Sequence, residues 1–220
     1  MSNPQTSPRR VGVIGLGAMG AGIAQSLRRA GHEVHAYDIR PGVAAAFAAE
    51  GGVACAALAD LAAACDIVVS VVVNAEQTES VLYGDGGIAA ALRPGAVFVM
   101  CSTVDPNWSI ALEARLAEQG ILYVDAPISG GAAKAASGQM TMMTAGRPAA
   151  YEACGGVLES MAGKVYRLGD RAGAGSKVKI INQLLAGVHI AAAAEAMALG
   201  LREGVDAGAL YEVITHSAGN

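Results

Sequence analysis

Residues Arg10-Val11-Gly12-Val13-Ile14 run directly into Gly15-Leu16-Gly17-Ala18-Met19-Gly20, and then into Ala21-Gly22-Ile23-Ala24-Gln25-Ser26-Leu27. An apolar run, a G-x-G-x-x-G turn and an amphipathic segment in that order admit few folds, because each glycine has its own task. Gly15 permits the tight turn out of a strand, Gly17 lets a pyrophosphate approach the backbone, and Gly20 lets the helix pack close to the sheet. The helix start offers unpaired N–H groups and the positive end of its dipole, which makes Ala18 and Met19 part of a predicted phosphate loop. Asp38 follows Gly20 by eighteen residues and closes a second strand-like run, Glu33–Asp38. An acidic residue at that spacing binds adenosine ribose hydroxyls and repels a 2′-phosphate, so the segment predicts a dinucleotide site of the NAD type. Arg40 leaves NADP open as a second cofactor, since an arginine there can hold the extra phosphate.

The chain continues in the same style. Val53–Cys55, Ile67–Val73, Ala96–Met100, Ile121–Asp125, Met140–Thr144 and Val165–Leu168 read as strands, separated by helical segments such as Pro106–Gln119. Several are continuously apolar, as strands covered on both faces are. This alternation predicts an α/β fold, a Rossmann-type doubly wound, mainly parallel sheet. At Gly173 the pattern changes. Ser176 to about Gly204 reads as one Ala-rich helix, apolar on nearly every side, and a second helix starts near Asp206. A helix that apolar is normally buried all round, between domains or between subunits. The expected division is a dinucleotide-binding domain over 1–172, then a long helix and an incomplete all-α domain over 173–220.

Composition narrows the partners. The chain has 220 residues, 53% hydrophobic and 15% charged, with net charge −4 and no basic run, which argues against nucleic acid. Ile180–Ala194 is the longest uncharged apolar stretch, is broken by Asn182, Gln183 and His189, and falls short of the roughly 18 residues of a membrane span. The first eight residues lack a signal-peptide core, so a cytoplasmic protein with no membrane partner is expected. Cys55, Cys65, Cys101 and Cys154 show no metal-like spacing and read as reduced thiols, with no metal site expected.

Ligands of open α/β sheets bind beyond the carboxyl ends of the strands. Three strand ends carry candidate residues: Val73-Asn74, Cys101-Ser102-Thr103, and Asp125-Ala126-Pro127-Ile128-Ser129-Gly130-Gly131. Ser129, Gly130 and Gly131 offer a hydroxyl and two unobstructed N–H groups to a carboxylate, although the segment alone reads more readily as a plain turn. On the long helix, Lys179 and Asn182 stand three residues apart and share a face, with Ala186 beside them. A lysine buried in so apolar a helix has a lowered pKa, which suits proton exchange. Lys177 points elsewhere and reads as solvated. His32 and His35 read as surface or packing residues, and His189, nearly three turns from Lys179, as unconnected with it.

Taken together, Gly15–Gly20 with Met19, the Asp125–Gly131 segment, and Gly173-Ala174-Gly175 leading to Lys179 and Asn182 resemble the β-hydroxyacid dehydrogenase family in order and spacing. The run from Lys179 to Ala198 is most similar to the branch that oxidises four-carbon sugar acids such as L-threonate. The resemblance implies NAD-dependent hydride transfer from a small hydroxy acid, with Lys179 as general acid/base. It also implies that Ser129, Gly130 and Gly131 bind the substrate carboxylate, that Asn182 orients the substrate, that Thr103 lies near the nicotinamide and its ribose, and that Val73 and Asn74 line the cofactor cleft. A homodimer or homotetramer is expected. The family continues into a complete helical domain with a later Lys-Asp segment, so a pocket wall is expected beyond these residues. A semialdehyde or imine reductase, and a dinucleotide-binding fragment without activity, are the alternative readings.

Overall fold

The apolar runs become a layered sheet because their residues alternate between two cores. The computed structural model describes residues 7–219. Its elements are β1 (Arg10–Ile14), α1 (Gly20–Arg29), β2 (Glu33–Tyr37), α2 (Val43–Ala49), β3 (Val53–Ala54), α3 (Leu58–Ala64), β4 (Ile67–Ser70), α4 (Ala75–Tyr83) and β5 (Val97–Met100). They continue with α5 (Pro106–Glu118), β6 (Leu122–Asp125), β7 (Ile128–Ser129), α6 (Gly131–Ser137), β8 (Met140–Gly146), α7 (Pro148–Cys154), α8 (Val157–Met161) and β9 (Ala162–Arg167). Two helices follow, α9 (Ala174–Arg202) and α10 (Ala207–Thr215). The chain divides into two compact units, Met1–Lys179 and Ile180–Asn220.

In the first unit the strand order is β3-β2-β1-β4-β5-β6-β8-β7, with β9 beside β8. The first six strands run parallel, in the Rossmann order 3-2-1-4-5-6. Odd and even residues of each strand feed opposite layers. Ile67 and Val69 join one buried cluster with Ile23, Leu27, Tyr151 and Leu158. Val68 and Phe98 join the other, with Leu61, Leu82, Leu112 and Leu116. The continuous apolar runs therefore reflect burial on both faces.

Three details depart from the sequence reading. β8 lies antiparallel to β6, because β7 continues in the direction of β6 and the chain then reverses through α6 before β8 pairs with both. β4 ends at Ser70 rather than Val73: Val71 N–H still reaches the Ile14 carbonyl at 2.8 Å, but Val73 is 75% exposed beyond the strand end. The apolar character of residues 71–73 belongs to a loop. Ser129, read as part of an open loop, closes β7 and pairs with Thr141 of β8.

In the second unit α9 leaves Ile181, Leu184, Leu185, Val188 and Ile190 exposed, where burial on all sides is predicted from composition. By length and mean hydropathy (1.7) α9 is apolar enough to cross a membrane, which the count of uncharged residues alone overlooks. Asp206 caps α10, accepting from Ala209 N–H at 2.9 Å.

Candidate active site

The nucleotide turn sits at the carboxyl end of β1, where β2 and β4 diverge to either side. Gly15 has φ +87°, and a Cβ there would lie 2.8 Å from the Val71 carbonyl. A Cβ on Gly20 would come within 1.8 Å of the Gly15 carbonyl oxygen, so this glycine is a packing requirement. Gly17 differs: a Cβ there would meet nothing within 4 Å. The protein itself gives no steric reason for a glycine at 17, whereas a ligand approaching the backbone does. The amides of Gly17, Ala18 and Met19 have no acceptor among the described residues, and Met19 at the N-cap makes no side-chain cap. These open donors at a helix start fit a pyrophosphate.

Asp38 lies just past β2, its side chain 5% exposed. Its Oδ2 accepts from Leu16 N–H at 2.7 Å and from Arg40 Nη2 at 2.9 Å. Oδ1 accepts from Arg40 N–H at 2.9 Å and Arg40 Nε at 2.8 Å. The Arg40 guanidinium is the main reason the Asp38 carboxyl falls to about 2. Asp38 is thus ionised, tied to the glycine turn through Leu16, and paired with the exposed Arg40 side chain.

Val73 and Asn74 form the neighbouring rim. Asn74 Oδ1 accepts from Gln77 N–H at 2.9 Å, and Gln77 Oε1 accepts from Val73 N–H at 2.9 Å, a reciprocal cap on α4. Buried Ser102 donates to the Val72 carbonyl at 2.8 Å, joining this rim to the end of β5, where Thr103 is exposed.

The Ser129–Gly131 loop is held near the same turn by helix packing. Its helix α6 lies against α1, where a Cβ on Gly22 would stand 2.5 Å from Ala136 N. Ser26 Oγ donates to the Ala135 carbonyl at 3.1 Å. Gly130 (φ +135°) and Gly131 (φ +75°) take backbone conformations that side chains disfavour, and their amides have no acceptor among the described residues. Two consecutive open N–H groups of this kind are what a carboxylate requires.

Lys179 is 6% exposed, and burial lowers its pKa. No ion pair or hydrogen bond holds its amine among the described residues. The enclosed polar atoms without a hydrogen bond there are Ser70 Oγ, Tyr83 Oη and Glu113 Oε1, and the Lys179 amine is not among them, so Lys179 buries its stem while its amine keeps solvent access. Lys177 is exposed. Asn182 lies three residues further along α9, in the second unit.

Two well-defined family profiles match the chain. Residues 10–169 match the NAD binding domain of 6-phosphogluconate dehydrogenase, and residues 173–220 match the NAD-binding segment of NADP-dependent 3-hydroxyisobutyrate dehydrogenase. L-Threonate dehydrogenase of Cupriavidus necator is 66% identical over 212 residues, which is 96% of this chain and 71% of the relative. The chain belongs to the β-hydroxyacid dehydrogenase family. Another member, L-threonate dehydrogenase of Pectobacterium atrosepticum, is 47% identical over 98% of the chain and 71% of its own length. The crystal structure of 3-hydroxyisobutyrate dehydrogenase from Salmonella typhimurium superposes with a TM-score of 0.91 at 46% identity, covering 96% of this chain and 74% of that one. In this chain the parallel-sheet unit leads into the long helix α9.

One contact of consequence escapes sequence reasoning, although its residue opens a candidate segment. Asp125, at the end of β6, is fully buried, and its carboxylate accepts from Gly173 N–H and Ser176 N–H at 2.9 Å each and from Ser176 Oγ at 2.6 Å. The available signal is Gly173, a residue with no capping side chain just before a long helix. His32 and His35 prove buried, at 5% and 9% exposure, so both are packing residues rather than surface ones.

Proposed function

We propose that this protein oxidises a small hydroxy acid, a four-carbon sugar acid such as L-threonate, using NAD, with Lys179 as general acid/base. The buried, unpaired Lys179 carries the reading, and the substrate follows from the name of the 66% identical relative. When bound, the nicotinamide supplies a hydride acceptor, the redox chemistry no side chain can perform. The chain's own residues do the rest. Gly17, Ala18 and Met19 amides, with Gly15 and Gly20 shaping the turn, hold the pyrophosphate, and Asp38 holds the adenosine ribose. Val73, Asn74 and Thr103 line the nicotinamide side. Ser129 and the Gly130 and Gly131 amides hold the substrate carboxylate, and Asn182 orients its hydroxyl.

Lys179 accepts the hydroxyl proton during oxidation, so it must be neutral. An ordinary lysine, with a pKa of about 10.4, is almost wholly charged at pH 7. Burial lowers that value here and enlarges the neutral fraction. Oxidation accelerates as pH rises through the lowered pKa and levels off above it. The working assembly is a cytoplasmic homodimer or homotetramer, with 1–172 as the nucleotide-binding domain and 173–220 as the start of the helical one.

The test is NADH formation across a panel of C3–C5 hydroxy acids, semialdehydes being assayed in the reverse direction. L-Threonate should give the highest kcat/KM. Lys179→Ala should lower kcat by on the order of 100-fold or more while leaving NADH affinity within about twofold. Undiminished turnover in that variant rejects the assignment of Lys179.

A further inference from the structure

We propose that Asp125 is a positioning residue for Lys179: from β6 it supplies the N-terminal cap that α9 lacks, and so clamps the helix face carrying the lysine to the sheet. This rests on the role given to Lys179 above. Gly173 stands at the N-cap of α9, since Lys177 N–H donates to its carbonyl at 2.9 Å. A glycine has no side chain with which to satisfy the free amides of the first turn. One oxygen of Asp125 takes both the N-cap amide (Gly173) and the third helical amide (Ser176), and the other takes the Ser176 hydroxyl. These are the donors that a local capping box satisfies between its own residues, here satisfied from a strand 48 and 51 residues earlier. The carboxylate also sits at the positive end of the helix dipole.

The clamp has a face. A Cβ on Gly175 would lie 2.4 Å from the Met143 carbonyl oxygen and 2.9 Å from the Asp125 carbonyl oxygen, so the helix backbone rests directly on β8 and β6. Gly175, Ser176 and Lys179 are the buried residues of α9. They follow the i, i+1, i+4 spacing of one helix face, whereas Lys177, Val178 and Ile180 between and beyond them are exposed. Lys179 is therefore buried on the contact that Asp125 holds. Withdrawing part of the water from an amine that has no ion partner is unfavourable by itself. The Asp125 cap and the Gly175 contact are what oppose the helix rolling its lysine out to water. Burial lowers the Lys179 pKa and no ion pair joins its amine to Asp125, so the role given to Asp125 is one of geometry.

Ser176→Ala, Asp125→Asn and Asp125→Ala in the full chain separate this role from simple stability. Each variant is reductively methylated and the Lys179 amine titrated by 13C NMR. Lys134, Lys164, Lys177 and Lys179 are the lysines to resolve, and the resonance missing from Lys179→Arg assigns the last. In parallel, kcat and KM for L-threonate are measured against pH on unmodified protein. The expected result for Ser176→Ala is an amine pKa raised towards about 10.4, and an alkaline limb of kcat that moves with it. Since a misplacement of about 1 Å costs on the order of 100-fold, kcat should fall by about tenfold with KM changed less than about threefold. Asp125→Asn keeps an acceptor oxygen in place and should retain more activity than Asp125→Ala. If Asp125→Ala does not fold, Ser176→Ala still decides, because it removes one hydroxyl only. A lower Tm with the Lys179 titration, kcat and pH profile unchanged overturns the proposal. Normal turnover by Lys179→Ala instead rejects the catalytic reading, and the titration then still reports whether Asp125 positions the lysine.

Discussion

Gly17 and Gly20 are three residues apart in one turn, yet alanine should act on them in opposite ways. At Gly20 the new methyl would stand 1.8 Å from the Gly15 carbonyl oxygen. An unstrained carbon–oxygen contact needs about 3.3 Å, so the strand end and the helix start must part by roughly 1.5 Å. The displaced atoms are backbone, and no side-chain rotation relieves the clash. Overpacking of this kind costs about 1–3 kcal/mol. At about 2–4 °C per kcal/mol for a domain of this size, Gly20→Ala should lower Tm by on the order of 5 °C in the absence of nucleotide. At Gly17 the methyl meets open space and φ is not positive. Gly17→Ala should therefore leave Tm unchanged or raise it slightly, because alanine restricts the unfolded chain by about 0.4–1 kcal/mol relative to glycine. The same methyl stands where the pyrophosphate must approach. Loss of one charge-assisted hydrogen bond, about 1.5–3 kcal/mol, weakens NADH binding by roughly 10- to 150-fold. Circular dichroism melts give the first quantity and titration calorimetry with NADH the second. NADH affinity unchanged in Gly17→Ala would refute the placement of the pyrophosphate, and an unchanged Tm in Gly20→Ala would refute the packing argument.

Two further outcomes follow from buried charge. Asp38 is paired with Arg40, so Asp38→Ala should free the guanidinium to meet a 2′-phosphate and move the NADP/NAD ratio of kcat/KM towards NADP; Arg40→Ala should move it the other way. An unchanged ratio in both removes the pair from cofactor selection. His32 accepts from Arg9 N–H at 3.2 Å through Nδ1 and meets Ser160 Oγ at 3.0 Å through Nε2, so protonation at Nδ1 breaks the first bond. Burial, and then the Arg9 charge, lower its pKa below 6.5. The unfolded chain then binds the proton first as pH falls, so stability is fully present above pH 6.5 and declines from there down through the lower folded pKa. Melts of the protein and of His32→Gln at pH 5 and pH 8 test this: the substitution should shrink the difference between the two pH values.

The geometry of the glycine turn is written locally, and the sequence makes it legible. Gly15, Gly17 and Gly20 act within one turn, and Asp38 reaches that turn through a single strand, so spacing along the chain is spacing in space. Alternation of Ile67, Val68 and Val69 between two cores similarly follows from the strand period of two residues. The end of β4 is less legible, because residues 71–73 keep a strand's apolar composition after leaving the sheet. The antiparallel run of β8 is less legible still, since hydropathy carries no direction. The apolar faces of α9 are legible as surface to be covered, although apolarity does not say which residues cover it.

By itself, then, the sequence determined the alternation of strands and helices that makes a doubly wound sheet and the glycine turn after β1, both of which depend on short-range pattern. Only the tertiary structure decided how Lys179 is held. Asp125 and Ser176 are 51 residues apart in the chain and 2.6 Å apart in the fold. A cap supplied across that separation leaves no periodic trace, because it depends on β6 and α9 meeting after the sheet has formed. The same holds for Arg40, whose charge is visible in the sequence but whose pairing with Asp38 is a matter of side-chain geometry.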